Sequence, residues 1–346
     1  MTPLLSARDV VQEFTVRDSG GGRGGVVQAV SGVSFDVMPG EALGIVGETG
    51  SGKSTLARAL LQAPRPKSGS VTFRGTELTK LRGRALLRAR RHMQFVFQDP
   101  FGSLDPKWRV RAIVSEPLVA YREGNRDSRR ARVDELLDLV GLDPARYAGR
   151  HPRELSGGQA QRVAIARAVA LNPSLLICDE AVSSLDVLIQ AQVLNLLEEL
   201  RAELGLSFVF IAHDMALVKQ VSDRVAVMYL GKLCETGPGD AVYHSPLHPY
   251  TRALLDSIPA TEPGTGRATI TLKGEPPSPI NPPSGCRFRT RCPRAAPRCA
   301  EEEPGLRELA AGHAVACHFP LTMPPAESVV PAGSTTVRSA EETGAS

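Results

Sequence analysis

Two hydrophobic patterns alternate along the chain. Residues 42–46, 174–178 and 207–212 are apolar runs, which are typical of strands buried on both faces of a parallel sheet. At 126–141 and 187–204 the apolar residues instead recur every three or four positions, as on one face of a helix. This alternation predicts an α/β protein with a parallel central sheet.

The two ends of the chain differ from this middle part. The first forty residues have the pattern of short antiparallel strands, interrupted by a glycine-rich loop at 19–25. After Pro259 the composition shifts to Pro, Gly and Thr, as in linkers, and the last residues have the composition of a disordered tail. We therefore divide the chain into a domain at 1–259, a linker at 260–285, a cysteine segment at 286–320 and a tail at 321–346.

Composition and charge narrow the class of protein. The 346 residues are 42% hydrophobic, which is enough for a substantial core, and 41 Lys and Arg against 37 Asp and Glu do not predict a nucleic-acid partner. The most basic run, 82–91, has the pattern of a solvated helix. No stretch approaches the ~18 consecutive apolar residues of a membrane span, and the first residues do not resemble a signal peptide. We expect a cytoplasmic protein without structural disulfides.

The apolar run at 42–46 leads directly into a phosphate-binding loop. Gly47, Gly52, Lys53 and Ser54 form the pattern G-x4-G-K-[ST] between a predicted strand and a predicted helix. Backbone N–H groups of such a loop cradle phosphates, the lysine neutralises their charge and the hydroxyl binds Mg²⁺. The complete predicted loop is Gly47, Glu48, Thr49, Gly50, Ser51, Gly52, Lys53, Ser54 and Thr55.

Polar residues follow three other predicted strands, where ligands of open α/β sheets collect. We expect Asp179 to hold Mg²⁺ through water and Glu180 to activate the attacking water as general base. Gln98 can reach Mg²⁺ or that water, and His213 can donate to the γ-phosphate. Taken singly, Gln98 or His213 could be a strand cap without function. The predicted catalytic residues are Glu180, His213 and Gln98, and the predicted Mg²⁺ ligands are Ser54, Gln98 and Asp179.

A second helix start also has the features of an anion site. Ser156 and Gln159 have the spacing of a capping box, and Gly157 and Gly158 between them leave backbone N–H groups accessible. This helix follows helical sequence rather than a sheet strand, so we do not expect it beside Lys53. It is either a well-capped helix or the binding site for the γ-phosphate held by a partner chain, with two chains arranged head to tail.

These motifs in this order, with "SSLD" at 183–186, resemble the ATP-binding-cassette (ABC) ATPases over about residues 4–259. The resemblance implies a P-loop NTPase fold with a RecA-like core sheet, an N-terminal antiparallel β subdomain and a helical subdomain at about 100–172. It implies ATP as the nucleotide, an LSGGQ segment (155–159) that binds the opposing subunit's ATP, and Asp186 in the loop that links the two sites. Phe14 stands where the family stacks an aromatic ring on adenine, although a core phenylalanine is the alternative.

The segments 98–118, 186–197 and 244–259, and the cysteines that follow, look like the peptide and nickel importer branch. This implies the ATP-hydrolysing subunit of a membrane importer for oligopeptides or dipeptides, with nickel or another small solute as the alternative. The implied partners are a second ATPase subunit (a paralogue), two integral membrane permease subunits and, indirectly, an extracytoplasmic solute-binding protein. The chain would then lie at the cytoplasmic face of the inner membrane.

Two other classes of function remain open. Cassette ATPases that act on DNA or ribosomes usually carry a coiled-coil insertion or a second cassette, and the sequence shows neither. A non-enzymatic regulator would not need the intact set of Lys53, Glu180 and His213.

Four cysteines predict one metal centre in the cysteine segment: Cys286, Cys292, Cys299 and Cys317. They are separated by five, six and seventeen residues, without the C-x2-C pair common at structural zinc. Four thiolates suit Zn²⁺ or a [4Fe–4S] cluster, and a segment so poor in apolar residues would need a metal to fold alone. In the peptide-importer ATPases that the chain resembles, a similar array holds a [4Fe–4S] cluster, which is our expectation. Zinc and free thiols are the alternatives, and the role could be structural or regulatory.

Two further expectations concern the surroundings of these cysteines. Five arginines lie close in sequence to the first three thiols and would favour their thiolate form: Arg287, Arg289, Arg291, Arg294 and Arg298. Cys178 and Cys234 should lie outside the site, in the sheet and in a hairpin that turns near Gly231.

Overall fold

The computed structural model describes residues 2–16, 25–258, 272 and 274–321. Most of the predicted glycine-rich loop, half of the predicted linker and residues 322–346 of the predicted tail lie outside the described residues. In the part of the chain that the structure describes, no helix combines the length and the apolar composition that crossing a bilayer requires.

The described residues form twelve strands and twelve α-helices. The strands are β1 (Leu5–Val16), β2 (Gly25–Val37), β3 (Ala42–Val46), β4 (Ser68–Phe73), β5 (Thr76–Glu77), β6 (Met93–Val96), β7 (Leu175–Asp179), β8 (Ser207–Ala212), β9 (Arg224–Tyr229), β10 (Lys232–Pro238), β11 (Arg307–Ala310) and β12 (His313–Val315). The helices are α1 (Lys53–Leu60), α2 (Gly83–Arg90), α3 (Pro100–Ser103), α4 (Val110–Ala120), α5 (Arg126–Leu139), α6 (Pro144–Tyr147), α7 (Gly157–Val169), α8 (Val187–Leu204), α9 (Met215–Val221), α10 (Gly239–His244), α11 (Pro249–Asp256) and α12 (Arg298–Glu301).

An antiparallel sheet with the order β2–β1–β4–β5 holds the N-terminal residues. β1 and β2 pair from Leu5 opposite Val37 to Val16 opposite Gly25. They are 12 and 13 residues long, so the expectation of short strands is wrong. The antiparallel pairing itself is as predicted. Irregularities in the register, between Ala7 and Val10 for example, interrupt the two-residue alternation and made the strands look shorter in the sequence.

The main sheet has eight strands in the order β11–β12–β10–β9–β3–β8–β7–β6. The five strands from β9 to β6 are parallel, which confirms the predicted parallel core. β3 and β8 have the predicted bounds and are buried throughout. β10 adds to β9 as an antiparallel hairpin that turns at Gly231, as the sequence predicted.

Helices cover this sheet and complete the core. In α5, Val133, Leu136 and Leu137 are fully buried, which confirms the predicted apolar face. Each such side chain stabilises the fold by about 1.5–3 kcal/mol relative to an exposed position. A second apolar cluster lies between α1, the antiparallel sheet and the other face of the main sheet. The strands that end beside the P-loop are therefore packed on both faces of the main sheet.

The cysteine segment is continuous with the main sheet rather than free-standing. Its strand β12 pairs with β10, so that Val315 lies opposite Glu235. The carboxylate of Glu235 is fully buried and accepts hydrogen bonds from the N–H groups of Leu247 and His248 and contacts His313 Nε2 at 2.7 Å. A buried carboxylate with this many partners fixes the segment to the domain.

Candidate functional site

Four parallel strands end in register beside the P-loop. Val46 of β3 lies opposite Ala212 of β8, and Asp179 of β7 lies opposite Ile211. On the outer side, Val96 of β6 lies opposite Cys178. β6 ends at Val96, two residues before Gln98. The residues that follow these strands therefore meet at one edge of the sheet.

Two of the P-loop glycines lie so close to backbone atoms of other strands that a side chain would not fit at either position. A Cβ on Gly47 would stand 2.0 Å from the carbonyl oxygen of Met228, and a Cβ on Gly52 would stand 2.0 Å from that of Ala29. Gly52 also has a φ of +103° and is the N-cap of α1. Backbone atoms cannot move aside as the tip of a side chain can, so no larger residue fits. The loop thereby delivers the N-terminus of α1 to the end of β3.

Lys53 lies inside the loop. Its Nζ donates to the carbonyl oxygens of Gly47 (2.7 Å) and Glu48 (2.9 Å), and the side chain is almost fully buried. Burial lowers the pKa of Lys53, while the nearby carboxylates of Glu180 and Asp179 oppose that shift. The ammonium group is therefore held at the floor of the site by acceptors that carry no net charge.

Two oxygen-bearing side chains meet beside Lys53. Ser54 Oγ donates to Asp179 Oδ1 at 2.7 Å, and Asp179 is 4% exposed. Burial raises the pKa of the Asp179 carboxyl, and the Ser54 hydrogen bond partly offsets the effect. A hydroxyl and a carboxylate are ligands that Mg²⁺ accepts in nucleotide sites. The donors present therefore fit the predicted ion.

Glu180 stands at the mouth of the site in a strained backbone conformation. Its φ is +48°, which costs a non-glycine residue of order 1–3 kcal/mol and is found mainly at functional positions. Its Oε2 accepts a hydrogen bond from Gln98 Nε2 at 2.9 Å and lies 3.7 Å from His213 Nδ1. Three of the residues predicted to act on the γ-phosphate are thus brought together.

A cavity of 650 Å³ opens over these residues, within the range of ligand sites. Phe14, 39% exposed, lies on its wall. Five lining residues were not among the predicted site residues, although two of them lie in the SSLD motif: Val27, Ala29, Ser183, Ser184 and Pro279. Only Pro279 comes from the predicted linker, and no motif marked it. The predicted residues that line the cavity are Phe14, Thr49, Gly50, Gly52, Lys53, Ser54, Thr55, Gln98, Glu180 and His213.

Four predicted residues of this site do not line the cavity. Asp179 touches Ser54 from below, and Gly47 is packed against β9. Ser51 Oγ lies 3.4 Å from Lys53 Nζ inside the loop. The Glu48 side chain turns away, toward the cysteine segment.

The LSGGQ helix lies apart from this cavity. Ser156 Oγ accepts from Gln159 N, and Gln159 Oε1 accepts from Ser156 N, so the predicted capping box is present. A Cβ on Gly158 would stand 2.5 Å from Ile189, which places the start of α7 against the start of α8. Asp186 caps α8 by accepting from Ile189 N at 3.0 Å. Among the described residues around the cavity, none belongs to LSGGQ, and Asp186 is absent as well.

The four predicted cysteine ligands lie in one neighbourhood. Burial raises the pKa of three thiols, that of Cys317 to about 11, and the proximity of the other cysteines adds to each shift. Cys286 N also donates to the Cys299 carbonyl at 2.8 Å. Within the described ranges, however, no group of three or more His, Cys, Asp or Glu side chains is arranged to hold a metal ion. Cys234 lies in β10 as predicted but borders Cys286 and Cys317.

The expectation that arginines favour the thiolates holds only for Arg294, which lowers the pKa of the Cys292 thiol without outweighing its burial. The arginines also have other partners. Arg291 pairs with Glu48, and Arg298 pairs with Glu302. Arg287 donates to the Leu230 carbonyl and the Gln28 side chain. Arg289 donates to Ser284 and Arg294 to Pro320. Burial therefore outweighs the charge of the arginines at the three thiols with raised pKa values.

Two protein families match the chain. Residues 30–183 match the family described as ABC transporter, and residues 234–299 match the family described as oligopeptide/dipeptide transporter, C-terminal region. The second match covers most of β10, α10, α11 and the first three cysteines of the cysteine segment. It ends before β12, the strand by which this segment pairs with β10.

Relatives and solved structures agree with these matches. The oligopeptide transport ATP-binding protein AppF of Bacillus subtilis is 50% identical over 320 residues, covering 91% of this chain and 97% of AppF. The oligopeptide transport ATP-binding protein OppF of Salmonella typhimurium is 50% identical over 294 residues, covering 84% and 87%. The ATP-binding cassette MJ0796, solved as a dimer bound to ADP and Pi, is 29% identical with a TM-score of 0.60 over 68% of this chain and 98% of that one. The chain belongs to the ABC transporter ATPases that carry the oligopeptide/dipeptide transporter C-terminal region.

Proposed function

We propose that the chain is the ATP-hydrolysing subunit of a membrane importer for oligopeptides or dipeptides. The observation that carries the ATPase role is the meeting of Lys53, the Ser54–Asp179 pair and Glu180 at one edge of the sheet. The names of AppF and OppF, which are oligopeptide transport ATP-binding proteins, support the choice of cargo. Import of nickel or another small solute is the alternative cargo.

In the proposed reaction, ATP occupies the 650 Å³ cavity with its phosphates on the N–H groups of the P-loop. Lys53 neutralises the β- and γ-phosphates, and the adenine stacks on Phe14. Ser54, Asp179 through water, and Gln98 would hold Mg²⁺, which would withdraw charge from the phosphate oxygens. Glu180 accepts a proton from a water molecule whose oxygen attacks the γ-phosphorus, and ADP leaves with the bridging oxygen. His213 donates a hydrogen bond to the γ-phosphate.

The LSGGQ helix would complete the site of a second subunit. Its N-terminal N–H groups are available to an anion, yet in the described residues it does not line its own chain's cavity. A head-to-tail pair brings Ser156, Gly157, Gly158 and Gln159 to the partner's γ-phosphate, with Asp186 between the two sites. The dimeric MJ0796 structures support such an assembly. The second subunit is proposed to be a paralogue.

Two integral membrane permease subunits would hold this pair at the cytoplasmic face of the inner membrane, with an extracytoplasmic binding protein as the indirect partner. The segment 99–120 follows Gln98 directly and exposes Phe101 and Trp108. A shift at the nucleotide can therefore reach this surface through neighbouring residues. Single cysteines placed between 104 and 112 should cross-link to a permease. An absence of cross-links in every nucleotide state would contradict the contact.

Transport itself is the direct test. Proteoliposomes that contain the chain, its paired ATPase and the permeases should take up an oligopeptide with its binding protein when ATP is inside. Lys53→Ala should abolish uptake, whereas Lys232→Ala, outside the nucleotide site, should leave it unchanged. Uptake of nickel in place of peptide would overturn the proposed cargo, and uptake without ATP would overturn the ATPase role.

We also propose that Cys286, Cys292, Cys299 and Cys317 together hold a [4Fe–4S] cluster. Each thiolate of such a cluster binds a different iron, so the thiols surround a volume rather than meet at one ion. The proximity of the four thiols supports one shared centre. The choice of a cluster over zinc rests on the resemblance to the peptide-importer ATPases, because no group of three or more His, Cys, Asp or Glu side chains among the described residues is arranged to hold a metal ion. When bound, the cluster would cross-link the segment covalently and serve as a structural staple.

Anaerobic purification followed by iron and sulfide analysis tests the cluster. The chain should carry about four irons and four sulfides, and Cys292→Ser should lower both. Cys178→Ala, in the sheet, is the matched control and should keep the full iron content. Stoichiometric zinc in a colourless protein would overturn the cluster, and four freely alkylated thiols would overturn the site.

A further inference from the structure

An arginine of the cysteine segment forms an ion pair with a side chain of the P-loop. Arg291 lies directly before Cys292, 243 residues from Glu48. Its Nη1 is 2.6 Å from Glu48 Oε2, and its Nη2 is 3.0 Å from Glu48 Oε1. Both nitrogens thus bind one carboxylate, the arrangement in which a guanidinium fixes position as well as charge.

This ion pair is shielded from solvent. The side chain of Arg291 is 5% exposed and that of Glu48 is 25% exposed. Arg291 Nη1 also lies 3.4 Å from Tyr229 Oη. An arginine guanidinium is charged at any physiological pH. Removing Arg291 leaves the Glu48 carboxylate without its partner in a place where little water can solvate it. The loss is therefore more costly than the loss of an ion pair on the surface.

The residue that Arg291 holds is itself in contact with the phosphate-binding lysine. The Glu48 carbonyl accepts from Lys53 Nζ at 2.9 Å and from Ser51 N at 3.1 Å. The Glu48 N–H donates to Tyr250 Oη at 2.8 Å. Glu48 therefore has its side chain fixed by the cysteine segment, its N–H fixed by α11, and its carbonyl on the ammonium group that faces the nucleotide.

The contact belongs to a packed unit rather than to a mobile side chain. Phe288, three residues before Arg291, is 1% exposed and its ring lies 5.3 Å from those of both Tyr229 and Tyr250. The Tyr229 and Tyr250 rings are 4.7 Å apart. Packed aromatic groups hold Arg291 at a fixed distance from the P-loop.

We propose that Arg291 is a positioning residue for the P-loop, acting through Glu48 on Lys53, so that nucleotide affinity depends on a residue that the cysteine segment supplies. Arg291 has two effects. It fixes the Glu48 carbonyl that orients Lys53, and it neutralises a carboxylate close to the phosphate site. The inference goes beyond the proposed transport function and does not rest on what the cysteines bind.

Equilibrium binding of labelled ATP to the full chain, in the presence of EDTA to prevent turnover, measures this effect. Arg291→Ala should weaken binding roughly 2- to 30-fold, the range found for residues that act through a network. Arg291→Lys keeps the charge but cannot bind both carboxylate oxygens, so it should recover only part of the loss. Arg291→Ala with Glu48→Gln should bind ATP more tightly than Arg291→Ala alone, because the uncompensated charge is gone.

A second ion pair between the cysteine segment and the domain provides the matched control. The Lys232 side chain pairs with Glu303 rather than with a P-loop residue, although the N–H of the preceding Gly231 donates to the Ser51 carbonyl. Lys232→Ala also removes an ion pair of the segment, so it should leave ATP affinity unchanged. Thermal midpoints of all variants are measured in parallel. If Arg291→Ala fails to fold, Arg291→Lys carries the comparison.

Three results would overturn the proposal. The first is wild-type affinity in Arg291→Ala, or in Arg291→Lys where that variant carries the comparison. The second is an equal loss in Lys232→Ala, which would indicate a merely structural role. The third is additivity of the Arg291→Ala and Glu48→Gln effects, which would show that the two residues do not act through one another.

Discussion

Glu180→Gln removes a charge from the site and changes little else. The Glu180 carboxylate accepts one hydrogen bond from Gln98 Nε2 at 2.9 Å and lies 3.7 Å from His213 Nδ1. A glutamine keeps one carbonyl oxygen for Gln98 and the same backbone conformation. Its structural cost is therefore that of one altered hydrogen bond, about 1 kcal/mol.

The expected chemical cost is larger. A positioned general base contributes about 10²- to 10⁴-fold to a rate. At about 1.36 kcal/mol per factor of ten, this is about 2.7–5.4 kcal/mol of barrier. We therefore expect kcat for ATP hydrolysis to fall by about 10² or more, while ATP affinity changes by no more than about five-fold, the equivalent of 1 kcal/mol.

Phosphate release by the assembled transporter and labelled-ATP binding on the same preparation separate the two effects. Glu198→Gln makes the same chemical change on α8, where the side chain is 42% exposed, and should leave both quantities unchanged. Turnover of Glu180→Gln within ten-fold of the wild type would refute the assignment of Glu180 as general base. A fall in turnover that only matches a fall in affinity would refute it as well.

Three further predictions concern the dimer, the packing of the cysteine segment and the pH dependence of stability. Gly157→Asp should still bind ATP in its own P-loop but block hydrolysis at the site of its partner, because the added carboxylate meets the partner's γ-phosphate. Mixed dimers with one mutant chain test this prediction. Inhibition at the mutant chain's own P-loop site would contradict it. Phe288→Ala should lower the free energy of unfolding by about 3–5 kcal/mol, measured by urea denaturation, whereas Phe319→Ala, at a 39% exposed position, should cost far less; equal losses would be inconsistent with the packing described. Burial lowers the pKa of His248 to about 4, so the unfolded chain takes up a proton below pH 6.5 that the folded chain excludes. Stability should therefore be complete above pH 6.5 and fall by about 1.4 kcal/mol per pH unit toward pH 4, and His248→Asn, which keeps an acceptor for Tyr250 N, should lose this slope in thermal midpoints measured across that range.

Local pattern was enough to predict the central sheet and the nucleotide loop. The apolar runs that became β3 and β8, and the apolar face of α5, follow from burial of consecutive or periodic positions, which depends on the neighbours in sequence. The P-loop could be predicted for the same reason, since its glycines, lysine and serine are adjacent in the chain. Asp179 ends a buried strand, Glu180 and His213 follow buried strands, and parallel strands bring such residues to one edge.

The partners of the cysteine segment could be found only in the tertiary structure. In the sequence, Arg291 is a neighbour of cysteines, and its charge favoured a thiolate as its partner. In the fold, the carboxylate of Glu48 lies against it and forms the stronger, doubly hydrogen-bonded contact. The position of Pro279 on the wall of the nucleotide cavity and the pairing of β12 with the main sheet could likewise be found only in the tertiary structure. Hydrophobic periodicity reports which face of an element is buried, but it carries no information on which distant residue covers that face, and that choice is made by the packing of the whole chain.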